Sequence, residues 1–120
     1  RSADVVSLHC PLTPETRHLL DDRRLRSMKP GAVLVNTARG PVVDEAALVE
    51  RLREGRLLAA GLDVYEGEPA LAPGLRDLPN VLLLPHLGSA GEETRAEMAR
   101  MAVADCLAVM EGREPAHPVV

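Results

Sequence analysis

"VLVNTARGPVVDEAAL", Val33 to Leu48, decides the fold. An apolar strand, "AVLVN" with the preceding Ala32, runs into a polar turn. Gly40 and Pro41 break the strand, because proline has no N–H to give a ladder. Asp44 is a good N-cap, and Ala46, Ala47, Leu48 and Leu52 follow it at helical spacing. A continuous apolar strand, a tight turn and an amphipathic helix make the unit from which parallel α/β sheets are built. The turn also carries a permanent cation, Arg39, where the strand ends, and a cation held there needs a reason.

The same grammar continues in both directions. Upstream, "DVVSLH" (Asp4 to His9) reads as a buried strand and "CPLTPET" as a loop. Asp21 to Met28 has a helical pattern with Leu20, Leu25 and Met28 on one side, ended by Lys29 to Gly31. Downstream, Gly55 is placed to close the second helix from its C′ position. Leu57 to Val64 is a third strand, and Tyr65 to Asn80 is a loop rich in Pro and Gly. Val81 to His86 is a fourth strand. Gly91 to Glu111 is a long helix, closed by Gly112, in which Met98, Met101, Ala102, Leu107 and Met110 favour an apolar stripe beside Asp105. Strands that are continuous apolar runs predict a parallel sheet covered on both faces, in a doubly wound α/β fold. Ligands in such sheets sit at the carboxyl ends of the strands. The polar residues at those ends are His9 and Cys10, Asn36 to Arg39, Asp63, and His86, all on one predicted edge.

Bulk properties exclude several classes of function. The chain has 120 residues, 46% hydrophobic and 27% charged, enough for one domain with a core. A net charge of −4 offers no basic face for nucleic acid or anionic lipid. Tyr65 is the only aromatic residue, so bases have almost nothing to stack on. No run approaches the ~18 apolar residues of a membrane span, and the start does not read as a signal peptide. Cys10 and Cys106 are expected as two buried thiols in a reducing, cytoplasmic compartment. The chain opens "RSADVV" without Met, so it is expected to be a piece of something longer. His9, His18 and His117 have no metal-ligand spacing, and no metal is expected. Ser89 lies near His86 without a nucleophile elbow, and His117 sits in a Pro-flanked tail.

Three of the edge and loop residues make a chemical set. Arg39 offers a planar donor fork suited to a carboxylate. His86 titrates near neutral pH and can give or take a proton. Glu68, in the loop after the third strand, is placed to hold the imidazole and favour its charged form. An anion clamp with a His–carboxylate pair suits a small carboxylic acid that gains or loses a proton. Each residue alone has an ordinary reading: a surface salt bridge for Arg39, a loop histidine, a solvated glutamate, and an Asx turn for Asp63.

"SLHCPLTPETRHLL", "MKPGAVLVNTARGPVVDEAAL", "AAGLDVYEGEP" and "NVLLLPHLGSA" resemble, in order and spacing, the D-isomer-specific 2-hydroxyacid dehydrogenase family. The likeness spans Asp4 to about Met110. "LDVYEGEP" with "PHLGSA" is most similar to the glyoxylate/hydroxypyruvate reductase branch, with phosphoglycerate dehydrogenases close. The resemblance implies an NAD- or NADP-dependent oxidoreductase acting on a small 2-keto acid. It implies Arg39 as the binder of substrate carboxylate and carbonyl, Glu68 as the catalytic glutamate and His86 as the acid/base. Gly40 would let the chain turn past the substrate, and Pro41 would stiffen the turn. For the cofactor it implies Cys10 and Pro11 on the adenosine side, backbone of Thr37, Ala38 and Arg39 near the nicotinamide ribose, Asp63 on the carboxamide, and His86, Gly88 and Ser89 over the ring.

The chain departs from the family in one large respect: the G-x-G-x-x-G phosphate turn is absent. Residues 1–112 then correspond to the C-terminal part of a Rossmann-like dinucleotide-binding domain, with 113–120 as a tail. The resemblance implies a parent enzyme that is a homodimer, without nucleic acid or membrane partners, and a chain that by itself is inactive. The competing expectation is a non-catalytic, dinucleotide-sensing interaction module such as the corepressors that share this fold.

Overall fold

The computed structural model describes residues 1–118. The elements follow the order β1 (Val5–Leu8), α1 (Asp22–Ser27), β2 (Ala32–Asn36), a 3-10 turn (Gly40–Val42), α2 (Glu45–Arg53), β3 (Leu57–Leu62), β4 (Val81–Leu83) and α3 (Glu92–Met110). The chain divides into two compact units, Arg1–His86 and Leu87–Val120. Among the described residues, no helix is long and apolar enough to cross a membrane.

The first unit is a four-stranded sheet in the order β1-β2-β3-β4, every pair parallel. Val6 stands opposite Leu34, Leu34 opposite Ala60, and Ala60 opposite Val81. That register lines Val6, Leu34, Ala60 and Val81 along one face. Leu8, Asn36, Leu62 and Leu83 form the next row. Helices α1 and α2 pack together over this face. Leu25, Leu48 and Leu52 of the helices join Leu34, Leu57 and Leu62 of the strands in one buried cluster, closed by Leu75 of the long loop. Each fully buried leucine contributes about 1.5–3 kcal/mol relative to an exposed one.

Both helices start where their capping residues dictate. The Asp21 carboxylate accepts the Arg24 N–H at 2.7 Å, and Asp44 accepts the Ala47 N–H at 3.0 Å. Helix α2 ends in a Schellman motif. Gly55, at φ +68°, donates to the Leu52 carbonyl, and Arg56 donates to Arg51. Arg51 is buried, bridging Glu54 at 2.6 Å and Asp22 at 3.4 Å, and so ties α2 to α1.

Three expectations change. The strands are not covered on both faces: exposure alternates along β2, and the face opposite the helices holds Val5 and Leu82 at 58% and 62% exposure. Leu58, the extra residue at a bulge between β2 and β3, is also exposed. The fourth strand stops at Leu83, not His86. Its partner β3 ends at Leu62, Pro85 has no N–H to donate, and His86 adopts φ +57°, outside the β region. The cysteines are free but not both buried, since Cys10 is half-buried and Cys106 is exposed.

The second unit is α3 with its following tail. Gly112, at φ +73°, ends the helix by donating to Val109, and Arg113 donates to Ala108. The tail folds back on the helix through Asp105, which accepts the Ala116 N–H at 2.8 Å and meets His117 Nδ1 at 3.1 Å. The expected stripe is not a buried one: Ala108 is the one described helix residue that is buried, and Met98, Val103, Leu107, Val109 and Met110 are exposed. Residues 119 and 120 of the tail lie outside the described residues.

Candidate active site

The carboxyl ends of the four strands carry the expected groups. Leu8 leads to His9 and Cys10, Asn36 to the Thr37–Arg39 turn, Leu62 to Asp63, and the residues after Leu83 to His86. His9, Cys10, Pro11, Leu12, Thr37, Ala38 and Arg39 line one concavity of ≈ 590 Å³. Glu68 and His86 line another, of ≈ 640 Å³, together with Tyr65, Arg76 and Leu83.

The arginine turn is shaped from inside. Asn36 is 1% exposed. Its amide oxygen accepts the Ala38 N–H at 3.1 Å, and its amide nitrogen donates to the Arg39 carbonyl at 3.0 Å. This Asx-type bracket sets the turn and leaves the Arg39 side chain outside. The guanidinium donates to the Ala38 carbonyl at 2.7 Å, and the residue is exposed.

Gly40 has a different reason from the one its sequence context implied. Its φ is not among the positive values, so freedom to turn is not what the site requires. A Cβ there would stand 1.9 Å from the Tyr65 carbonyl carbon and 2.4 Å from the Glu66 nitrogen. Gly40 is needed because the backbone of the β3–β4 loop passes through the space a side chain would fill. Pro41 opens the 3-10 turn, and its carbonyl accepts the His18 N–H at 2.8 Å.

That loop presents Glu68. One carboxylate oxygen accepts the Tyr65 N–H at 2.9 Å, and the other meets His86 Nδ1 at 3.0 Å. An ionised carboxylate only accepts, so Nδ1 carries the proton and Nε2 is left to face a ligand. The His86 ring, helped by the Tyr65 N–H and the Arg39 charge, holds the Glu68 carboxyl below its ordinary value. The Tyr65 hydroxyl donates to the Leu84 carbonyl at 2.6 Å and fastens the segment before His86 to the end of β3. His86 is in the left-handed region, a conformation that a non-glycine residue keeps only when its surroundings impose it.

The expected cofactor-side residues fall in three places. Cys10, Pro11, Thr37, Ala38 and Arg39 share the first concavity. Asp63 is 4% exposed at the end of β3, its N–H bound to the Asn36 carbonyl. Gly88 and Ser89 are exposed in the turn before α3, in the second unit.

Two contributors, Tyr65 and Glu45, escaped the reading of the sequence, and Asn36, named there among the polar strand-end residues, proves to shape the arginine turn from the last position of β2. Tyr65 bridges two strand ends. Glu45 is 4% exposed at the start of α2 and accepts the Glu66 N–H at 2.6 Å. An acidic residue in a first helical turn is ordinary, so nothing local marked it.

A parallel sheet with helical crossovers between its first three strands, and a cation, an acid and a histidine at its carboxyl edge, is an α/β architecture of the Rossmann type. The family model for D-isomer specific 2-hydroxyacid dehydrogenase, NAD binding domain, matches residues 1–88, and the chain belongs to that family. The glyoxylate reductase of Thermofilum pendens is 51% identical over 115 residues, covering 94% of this chain and 34% of the relative. The glycerate dehydrogenase of Cucumis sativus is 46% identical over 112 residues, covering 93% of this chain and 29% of the relative. Among solved structures, an NADPH-dependent glyoxylate/hydroxypyruvate reductase from Sinorhizobium meliloti, in complex with NADP and malonate, superposes with a TM-score of 0.94 at 39% identity, covering 99% of this chain and 37% of that one. A protein from Thermus thermophilus superposes at 0.92 with 62% identity, covering 98% of this chain and 38% of that one. The chain therefore spans about a third of the length of the curated relatives it matches.

Proposed function

We propose that the protein carrying this chain reduces a small 2-keto acid, of the glyoxylate or hydroxypyruvate type, to a D-2-hydroxy acid with NADH or NADPH. The observation that carries this reading is the Glu68–His86 pair, with Nδ1 3.0 Å from the carboxylate on the sheet edge that also holds Arg39.

The first concavity suits part of a dinucleotide. Thr37 and Arg39 offer polar groups, Pro11 and Ala38 bring little bulk, and Cys10 lies beside them. Asp63 is the group for the carboxamide. A bound nicotinamide supplies the hydride that reduces the 2-keto carbon. Arg39 binds the substrate carboxylate through its donor fork and steadies the charge that grows on the carbonyl oxygen. His86 gives its Nε2 proton to that oxygen. Glu68 stabilises the charged ring before the transfer and keeps Nδ1 protonated afterwards. The product is the hydroxy acid, the oxidised cofactor and a neutral His86.

The test is the oxidation of NADH and of NADPH by the full-length protein with glyoxylate and with hydroxypyruvate, in parent and His86→Asn forms. Loss of a general acid is expected to lower kcat by about 10²–10⁴-fold. Turnover unchanged by His86→Asn sinks the reading.

A further inference from the structure

Glu45 has no part in the chemistry just described, yet it is the most fully buried carboxylate beside Asp63 among the described residues, at 4% exposure. It occupies the first position of α2, immediately after the Asp44 cap. Its Oε1 accepts the Glu66 N–H at 2.6 Å. The Ala72 N–H also favours its ionised form. Residue 66 stands two positions before Glu68, so this carboxylate holds the loop close to the group that pairs with His86.

The same stretch is held from a second direction. The Glu66 carboxylate meets His18 Nε2 at 2.6 Å and Arg17 at 3.2 Å. His18 is itself tied to the arginine turn through the Pro41 carbonyl. Gly40 lies against the Tyr65–Glu66 peptide without room for a side chain. The loop, the arginine turn and the start of α2 therefore form one packed assembly, with Glu45 at its base.

A carboxylate is an expensive group to bury, since leaving water disfavours its charged form. Burial pushes the Glu45 carboxyl up, and the Glu66 and Ala72 N–H groups pull it back; the Glu66 and Glu68 charges act in the same direction as burial. An apolar residue at this place would leave the Glu66 N–H without this acceptor instead.

We infer that Glu45 is a positioning residue: its buried carboxylate fixes the backbone at Glu66, two residues before Glu68, and so holds the Glu68 carboxylate at hydrogen-bond distance from His86. The inference rests on the reading of Glu68 and His86 as the working pair, but the contact it explains can be measured without turnover.

The experiment uses the full-length protein with Glu45→Ala and Glu45→Gln. Three quantities are read: amide hydrogen exchange at Glu66, the titration of the Glu68 carboxyl by NMR, and kcat and KM for glyoxylate. In Glu45→Ala, exchange at the Glu66 amide rises while that of Leu34 in β2 stays put. The Glu68 carboxyl titrates at higher pH than in the parent, because its partner has moved away. A misplacement of the order of 1 Å lowers kcat by about 10- to 100-fold, with KM changed by less than about threefold. Glu45→Gln keeps one acceptor for the Glu66 N–H, so its values fall between parent and Ala. It carries the test alone if Glu45→Ala does not fold.

Raised exchange with an unmoved Glu68 titration overturns the inference, because the loop would then be anchored without effect on the pair. Unchanged exchange overturns it directly. Should the parent turn over no 2-keto acid, the proposed function fails, and exchange with the Glu68 titration still decides the role of Glu45.

Discussion

Glu68 accepts a hydrogen bond on each oxygen, from Tyr65 and from His86, and both favour its charged form. Its folded pKa lies below the ordinary 4.5. A depressed acid stabilises the folded state above its unfolded pKa and loses that contribution as pH falls through the folded value. Glu68→Gln is therefore expected to lower Tm at neutral pH and to flatten its decline below about pH 4.5, so that the two forms converge in acid, as read by thermal unfolding over an acid series. An unchanged acid slope would show that the two hydrogen bonds do not favour the charge. Arg39 allows a second test at this scale. Lysine keeps the charge but not the planar fork, so Arg39→Lys is expected to raise KM for glyoxylate by about 10- to 100-fold, the worth of a charge-assisted hydrogen bond. Equal KM values would place the carboxylate elsewhere. The strand-end placement of Arg39 and His86 and the pairing of Glu68 with His86 were legible because each stands in a short, distinctive block. Glu45 was not, since its partner is 21 residues away and its helix-start position is ordinary for an acid.

Between elements, the tightest approach is that of Gly40 to the Tyr65–Glu66 peptide. The atoms a Cβ would meet are backbone, so no rotamer change relieves the overlap. Gly40→Ala is expected to cost about 3 kcal/mol or more, at the upper end of overpacking, read as a lowered denaturant midpoint; a midpoint equal to that of the parent refutes this. Asp44→Ala removes the acceptor for the Ala47 N–H and is expected to cost about 1 kcal/mol. The Asp44 cap, the Gly55 and Gly112 stops and the helical centres were readable, because each depends on residues within a turn of one another; Asp21 was placed inside the first helix rather than at its cap. Strand ends were not. β4 stops at Leu83 because its neighbour β3 has stopped, which no apolar run can express.

For the whole molecule, the decisive feature is the sheet face away from α1 and α2. Val5, Leu58 and Leu82 are each more than half exposed in the 120-residue chain. Apolar surface of this kind drives association in water. The chain prepared by itself is expected to show light scattering that grows with concentration, and Leu58→Lys with Leu82→Lys is expected to suppress it. A monomer at every concentration would argue that the exposed leucines are inert.

By itself the sequence determined the alternation of strands and helices, their caps, the parallel class of the sheet, and the blocks that bring Arg39, Glu68 and His86 to one edge. These are written in continuous apolar runs, in the 3.6-residue period of the helices and in capping contacts within one turn. Tertiary structure alone decided which face of the sheet is covered, why Gly40 has no side chain, and how the loop carrying Glu68 is held. Those outcomes join residues 21 and 48 positions apart, Glu45 with Glu66 and His18 with Glu66. Such contacts exist only after the chain has closed on itself, when desolvation and backbone packing act together on groups whose neighbours in sequence carry no trace of them.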